Sequence, residues 1–202
     1  MPIWLADQPL VLASKSAVRR AVLEGAAIPL DIYPADIDER GMETRAGMIA
    51  PAETAVLLAR EKALAVAADL PGRLVLGADQ TLALGARVFA KPADLAAARA
   101  QLKTLRGRTH ELHAAIAIIR DGTILFEHHD IARLTMRAFS DAFLESYLEA
   151  AGSAVTASVG AYQVENLGIH LFERIEGDHF TILGLPLLPL LDFLRRNGWM
   201  AV

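Results

Sequence analysis

The run VLGADQTLAL (75–84) carries a carboxylate and an amide, Asp79 and Gln80, inside what otherwise reads as a buried strand. A strand can hold an acid rigidly where it takes a proton from water or faces a cation, although Gly77 and Asp79 are equally ordinary turn formers. A second acidic run, ADIDER (35–40), places Asp36 and Asp38 on one face and Glu39 on the other if the preceding short strand continues. Such hard oxygen ligands suit Mg²⁺ or Mn²⁺, which keep several waters and share substrate phosphates; alone, the run would be a solvated loop. A third run, ASKSAVRR (13–20), ends a strand in small hydroxyl residues and enters a helix bearing Arg19 and Arg20. Free N–H groups at a helix start, the hydroxyls of Ser14 and Ser16, and planar guanidinium forks all suit phosphate. A serine-capped helix with solvated arginines is the plainer alternative. Lys62 on a long helix and Lys91 just before a proline are further cations, and GAYQVENLG (160–168) offers Gln163, Glu165 and Asn166 to a base edge or to a turn.

The elements that must position these residues follow from periodicity and punctuation. Residues 9–13 read as a first strand, and 14–26 as a helix with Ser14 or Ser16 as cap. A short strand runs from 30 into the acidic turn, and 40–50 reads as a loop. PAETAVLLAREKALAVAADL (51–70) is the clearest helix, with Pro at its start and Pro71-Gly72 beyond its end. A second amphipathic helix covers 94–105. Two long strands, 109–119 and 123–139, meet at Asp121-Gly122, a strong hairpin signal. A capped helix (140–150), a mixed strand-and-turn region (155–183) and a terminal helix (185–198) complete the chain. The order predicts an α/β fold with a mixed twisted sheet flanked by helices, in a single two-lobed domain over 1–202.

Composition excludes several classes. With 202 residues, 53% of them apolar and 22% charged, the chain can bury a substantial core. A net charge of -4 offers no general field for a nucleic acid polymer, so an anionic partner must meet a local cluster. The absence of cysteine removes disulfides and thiolate metal sites and fits a reducing compartment. The N-terminal run lacks a basic leader segment, and TILGLPLLPLLDFL (181–194) is shorter than the ~20 residues of a membrane span and holds two prolines. A cytoplasmic chain with no membrane partner is expected. The six histidines show no metal-ligand spacing, and no nucleophile-elbow, P-loop or GxGxxG motif is present.

Taken in order, LVLASKSAVRRAVLEGAAIP, ADIDE, AREKA, VLGADQTLAL, AKPADLAAARAQLKTLRGRTHE, GAYQVENLG and ERIEGDHFTILGLPLLPLLDFLRRNG resemble the Maf family of nucleoside triphosphate pyrophosphatases over nearly the whole chain. The resemblance implies an inosine triphosphatase-like fold with a central cleft. It further implies hydrolysis of a nucleoside triphosphate to monophosphate and pyrophosphate, using a divalent metal such as Mg²⁺ or Mn²⁺. Carried over by motif, Asp79 would be the proton acceptor, Glu39 and Asp79 would hold the metal, and Ser14, Arg19, Lys62 and Lys91 would bind the triphosphate. The implied role is removal of noncanonical nucleotides in the cytoplasm by a homodimer. A nucleotide-binding regulator of septum formation with little catalysis is the alternative. Two departures stand in the first motif: Ala17 replaces the usual proline and Val18 a large residue. Family branches differ at three positions near the base, here Val18, Gln80 and Glu165. Gln80 and Glu165 agree with a 7-methyl-GTP type rather than a dTTP/UTP type, and a carboxylate at 165 suits a guanine edge.

Overall fold

The computed structural model describes residues 2–47 and 49–202. Among the described residues, seven strands and seven α-helices follow in the order β1 (Leu10–Leu12), α1 (Ala17–Gly25), β2 (Leu30–Ile32), α2 (Glu39–Ala46), α3 (Pro51–Asp69), β3 (Val75–Leu84), β4 (Arg87–Phe89), α4 (Leu95–Leu105), β5 (Thr109–Arg120), β6 (Thr123–Met136), α5 (Asp141–Ala151), β7 (Phe172–Glu176), α6 (His179–Ile182) and α7 (Leu187–Arg196). The strands form one sheet in the order β2-β1-β3-β5-β6-β7, with β4 paired to β3. It is mixed as expected: β1 pairs in parallel with β2 and β3, whereas β3–β4 and β6–β7 are antiparallel. Asp121 and Gly122, both at positive φ (50° and 73°), make the two-residue connection from β5 to β6.

By packing, the chain divides into two compact units. The first holds the chain up to Gln80 together with Ala114–Asp130 and Asp178–Val202; the second holds Thr81–His113 and Ile131–Gly177. In the first unit, alternation along β3 sorts its side chains onto two faces. Val75 packs with Ala63, Val66 and Ala67 of α3, while Leu76 and Ala78 pack with Leu10, Leu12, Leu185 and Leu190 on the other face. Helix α7 supplies Leu187, Leu190 and Leu194 to that second face, all nearly inaccessible. Each such leucine contributes roughly 1.5–3 kcal/mol. Its Pro189 falls in the first turn, where no intrahelical N–H bond is lost.

Gly77 explains how close α3 comes to β3. A Cβ at residue 77 would lie 2.0 Å from the Ala59 carbonyl oxygen and 2.9 Å from the Ala63 Cβ, so only glycine admits the helix backbone here. Asp79 shares that face of β3, two residues on, and so points to the side covered by α3.

One sequence expectation is corrected. Of the loop expected over 40–50, residue 48 lies outside the described residues, and 39–46 form helix α2. The carboxylate of Asp38 caps this helix by accepting from the Gly41 N–H at 2.9 Å. Glu39 therefore begins a helix rather than ending a strand. The helix buries none of its residues, so it has no apolar stripe to reveal it.

The second unit packs α4 against α5 and the short 3₁₀ turn Val159–Ala161. Its buried residues include Leu82, Phe89, Leu102, Leu134, Tyr162 and Phe172. Among the described residues no helix is long and apolar enough to cross a membrane.

Candidate active site

Six of the nine residues singled out by sequence lie close to the polar end of β3, all in the first unit. The Lys62 ammonium, on α3, donates to Asp79 Oδ1 at 2.6 Å and lies 3.1 Å from Glu39 Oε1. The Lys62 and Asp79 side chains are only 12% and 11% exposed, whereas Glu39 is 49% exposed. Burying an ion pair contributes little net stability because both charges lose water. The pair joins an acid on an otherwise apolar strand to a lysine of the covering helix, an arrangement that contributes little as a staple.

Arg19, on α1, reaches the opposite face of β3. Its Nε donates to the Gly184 carbonyl at 2.8 Å, and its Nη1 to the Ala78 carbonyl at 2.8 Å and to Ser14 Oγ at 3.2 Å. Burial depresses the guanidinium pKa below its usual value, and the negative charges of Asp79 and Glu39 oppose that shift. Three of its five N–H donors are thus committed to protein oxygens, and Nη2 keeps two. Ser14 Oγ also accepts from the Ser16 N–H at 3.2 Å, which leaves the hydroxyl hydrogen to donate outward. Ser16 caps α1 by accepting from the Arg19 N–H, so helix entry survives without the family's proline. Val18 lies in the first turn of α1 and is partly exposed.

Gln80 faces away from Asp79. Its Nε2 donates to the carbonyls of Thr181 and Ile182, each at 3.0 Å. Lys91 and Glu165 belong to the second unit, and both are exposed.

Sequence reasoning missed one acid. Glu43 lies four residues after Glu39 on α2 and so shares its face. Burial first, and then the charges of Asp79 and Glu39, push the Glu43 carboxyl above its ordinary value, while Arg40 and Lys62 act the other way. The Glu-x-x-x-Glu spacing is the signal that a helical reading of 39–46 would have exposed.

Glu39 and Asp79 converge on one cation, the Lys62 ammonium, so their oxygens are close enough to share a positive charge. Among the described residues no three His, Cys, Asp or Glu side chains form a metal cage. Two carboxylates fit Mg²⁺ or Mn²⁺, which are commonly held by one or two acids together with substrate phosphates and water.

In the second unit the Gly160–Gly168 segment is held by uncharged groups. The Tyr147 hydroxyl donates to the Ala161 carbonyl at 3.0 Å, and His110 Nε2 lies 2.7 Å from the Tyr162 hydroxyl. His110 is 1% exposed, its Nδ1 has no hydrogen-bond partner, and burial lowers its pKa to about 4. Ala161 adopts φ 61°, a left-handed conformation costing a non-glycine residue about 1 kcal/mol. Asn166 Nδ2 donates to Gln163 Oε1 at 3.2 Å, and both residues line a cavity of about 290 Å³ floored by Ala150, Ala151 and Ala154.

A family model described as Maf-like protein matches residues 9–197. The chain belongs to the Maf-like family. A protein named nucleoside triphosphate pyrophosphatase from Rhodopseudomonas palustris (strain BisB18) is 60% identical over the full length of both chains. One of the same name from Bradyrhizobium diazoefficiens is 57% identical, again over both full lengths. A protein named 7-methyl-GTP pyrophosphatase from Mesorhizobium japonicum is 49% identical over 95% of this chain and 97% of its own. Among solved structures, a HAM1 protein from Coxiella burnetii aligns with 65% of this chain and 74% of its own at 20% identity, with a TM-score of 0.43.

Proposed function

We infer that this Maf-like chain is a nucleoside triphosphate pyrophosphatase in which Asp79 is the general base. The observation that carries the reading is the position of Asp79 on a rigid strand, 2.6 Å from Lys62 and facing the same cation as Glu39. Full-length identity to proteins bearing that activity in their names supports the reaction class.

The chemistry follows from the groups present. Asp79 takes a proton from water as the water oxygen bonds to the α-phosphorus. The bond from that phosphorus to the α–β bridging oxygen breaks, and its electron pair leaves with pyrophosphate. Nucleoside monophosphate is the other product. A triphosphate carries up to four negative charges, so the approach of an oxygen nucleophile needs cations. Lys62, Lys91 and the two free donors of Arg19 neutralise phosphate oxygens, and Ser14 donates its remaining hydrogen. Glu39 and Asp79 would hold Mg²⁺ or Mn²⁺, which supplies further charge neutralisation at the phosphates. Residues 1–202 act as one functional domain, and a homodimer in the cytoplasm that removes modified nucleotides belongs to the same reading.

A 7-methyl-GTP-like substrate fits better than dTTP or UTP. Gln80 and Glu165 match that branch, and a relative bearing that substrate in its name is 49% identical. A carboxylate at 165 can accept from guanine N1–H and N2–H₂ but opposes a pyrimidine O2. Val18 lacks the ring that would stack on a cationic base, which removes roughly 1–2 kcal/mol of affinity.

The test is product analysis with purified protein, Mg²⁺ or Mn²⁺, and a panel of canonical and modified triphosphates. Equal amounts of pyrophosphate and monophosphate are expected, with loss of turnover on chelation and the highest kcat/KM for 7-methyl-GTP. Orthophosphate release, or binding without turnover, contradicts the reaction. A preference for dTTP contradicts the base assignment alone.

A further inference from the structure

The chain from Tyr162 to Phe172 meets its own ends. The two rings stand edge to face with centroids 4.8 Å apart, and the buried His110 ring packs against both, its centroid 5.7 and 6.0 Å away. Between these ends the backbone closes on itself. The Asn166 N–H donates to the Gln163 carbonyl and the Ile169 N–H to the Asn166 carbonyl, each at 3.1 Å. The Asn166 amide also holds the Gln163 side chain, and a Cβ at residue 168 would lie 2.8 Å from the Gln163 nitrogen. Residues 163–169 therefore form a self-bonded unit whose direction is set where it joins the rest of the chain. At the far end Arg137 holds it, through its N–H to the Leu171 carbonyl and its Nε to the His170 carbonyl, both at 2.8 Å. At the near end the joint is Ala161 and Tyr162. Gly160 and Ala161 have φ values of 81° and 61°, and a left-handed alanine persists only where its neighbours over-determine it. Those neighbours are the Tyr147 hydroxyl on the Ala161 carbonyl, His110 Nε2 beside the Tyr162 hydroxyl, and the Ser158 hydroxyl on the Tyr162 carbonyl. Tyr147 on α5 and His110 on β5 are buried, whereas Glu165, inside the unit they orient, is exposed.

We propose that Tyr147 and His110 are positioning residues for base selection: by fixing the Ala161–Tyr162 joint, they set where the Glu165 carboxylate meets the edge of the nucleobase. This rests on Glu165 being a base reader. Hydrogen bonds to a base edge tolerate little displacement, because they weaken steeply once the donor angle falls below about 120°. A loosened joint therefore lowers discrimination between bases. The phosphates, at the other end of the nucleotide, keep their own groups, so kcat on the better substrate is retained.

The experiment measures kcat and KM for 7-methyl-GTP and for dTTP, with a thermal melt, in Tyr147→Phe, His110→Leu and His110→Gln, each alone and combined with Glu165→Gln. Tyr147→Phe removes one hydroxyl and His110→Leu both ring nitrogens, whereas His110→Gln keeps a hydrogen-bonding nitrogen at a similar reach. For Tyr147→Phe and His110→Leu the 7-methyl-GTP to dTTP ratio of kcat/KM falls about three- to fivefold. The fall comes from a higher KM for 7-methyl-GTP, its kcat staying within about twofold. His110→Gln brings the ratio back to within about twofold of the native value. In the Glu165→Gln background the same substitutions change the ratio by less than about 1.5-fold, because the group they position is gone. If His110→Leu fails to fold, Tyr147→Phe carries the test with the same expectations. An equal shift in the ratio with and without Glu165, or an equal loss of kcat on both nucleotides at an unchanged ratio, overturns the proposal. Glu165→Gln alone separates the two ideas. An unchanged ratio there removes base reading by residue 165 and the proposal with it. A changed ratio there, beside an unchanged one in Tyr147→Phe and His110→Leu, overturns the positioning role alone.

Discussion

Around Asp79 the principal side-chain ties are charged: the Lys62 ammonium, the Glu39 carboxylate beside it, and the buried Arg19 guanidinium behind the strand. Around Ala161 the side-chain ties are neutral: a tyrosine hydroxyl on a carbonyl, and a histidine ring against a second tyrosine. The first region is a strand pinned by a helix that approaches to backbone contact at Gly77. The second is a turn kept in a left-handed conformation by buried aromatic groups. A residue held at a left-handed φ, such as Ala161, persists only where the surrounding contacts over-determine it, and here those contacts are uncharged. Under the proposed function, bond-breaking falls to β3 and selectivity to the loop.

Removing the charge from the first region should have a large effect. Lys62→Met leaves Asp79 and Glu39 without the ammonium between them and takes a cation from the phosphates. A loss of ~10²–10³-fold in kcat/KM is expected, read by pyrophosphate release. Retention of activity would break the distinction between a charged centre and a neutral loop.

The second region should be sensitive to pH instead. His110 is neutral when folded, with a pKa near 4 against 6.5 when exposed. Its contribution to stability is complete above about pH 6.5 and is lost as the pH falls towards 4, because the unfolded chain takes up the proton first. The amount is on the order of 3 kcal/mol. Urea melts from pH 7.5 to 4.5 should therefore show a steeper loss for the native chain than for His110→Phe. Parallel curves would mean that this histidine does not titrate as its burial requires.

Selectivity should show the smallest change. Glu165→Gln replaces an acceptor-only group by one that also donates, and should shift the purine-to-pyrimidine ratio of kcat/KM by about tenfold, or ~1–2 kcal/mol, while leaving the better kcat nearly intact. An unchanged ratio would remove Glu165 from base reading.

Much of this was legible in the sequence because local signals carry it. The alternation of VLGADQTLAL, the serine cap before Ala17, the Asp121-Gly122 turn and Pro51 at the start of α3 each act within a few residues. Helix α2 was not legible, since ERGMETRA has no apolar stripe and only its Asp38 cap and Glu-x-x-x-Glu spacing mark it. Glu43 was lost with it. Gln80 was conspicuous as a polar residue, but its partners lie 101 and 102 residues further on. Arg19 looked like a phosphate fork because nothing near it in sequence indicates that Gly184 and Ala78 take two of its five donors. Residues that act on substrate resemble their motifs, whereas residues that act on other residues show their role only once the chain is folded.

The central claim is that β3 delivers Asp79 as the base for attack on the α-phosphorus. Single-turnover pyrophosphate release from 7-methyl-GTP, measured for the native chain and Asp79→Asn beside the dissociation constant of each, tests it most directly. A rate lowered by roughly 10²–10⁴-fold with nucleotide still bound is the predicted result. Asp79→Asn releasing pyrophosphate at a rate near that of the native chain would contradict it.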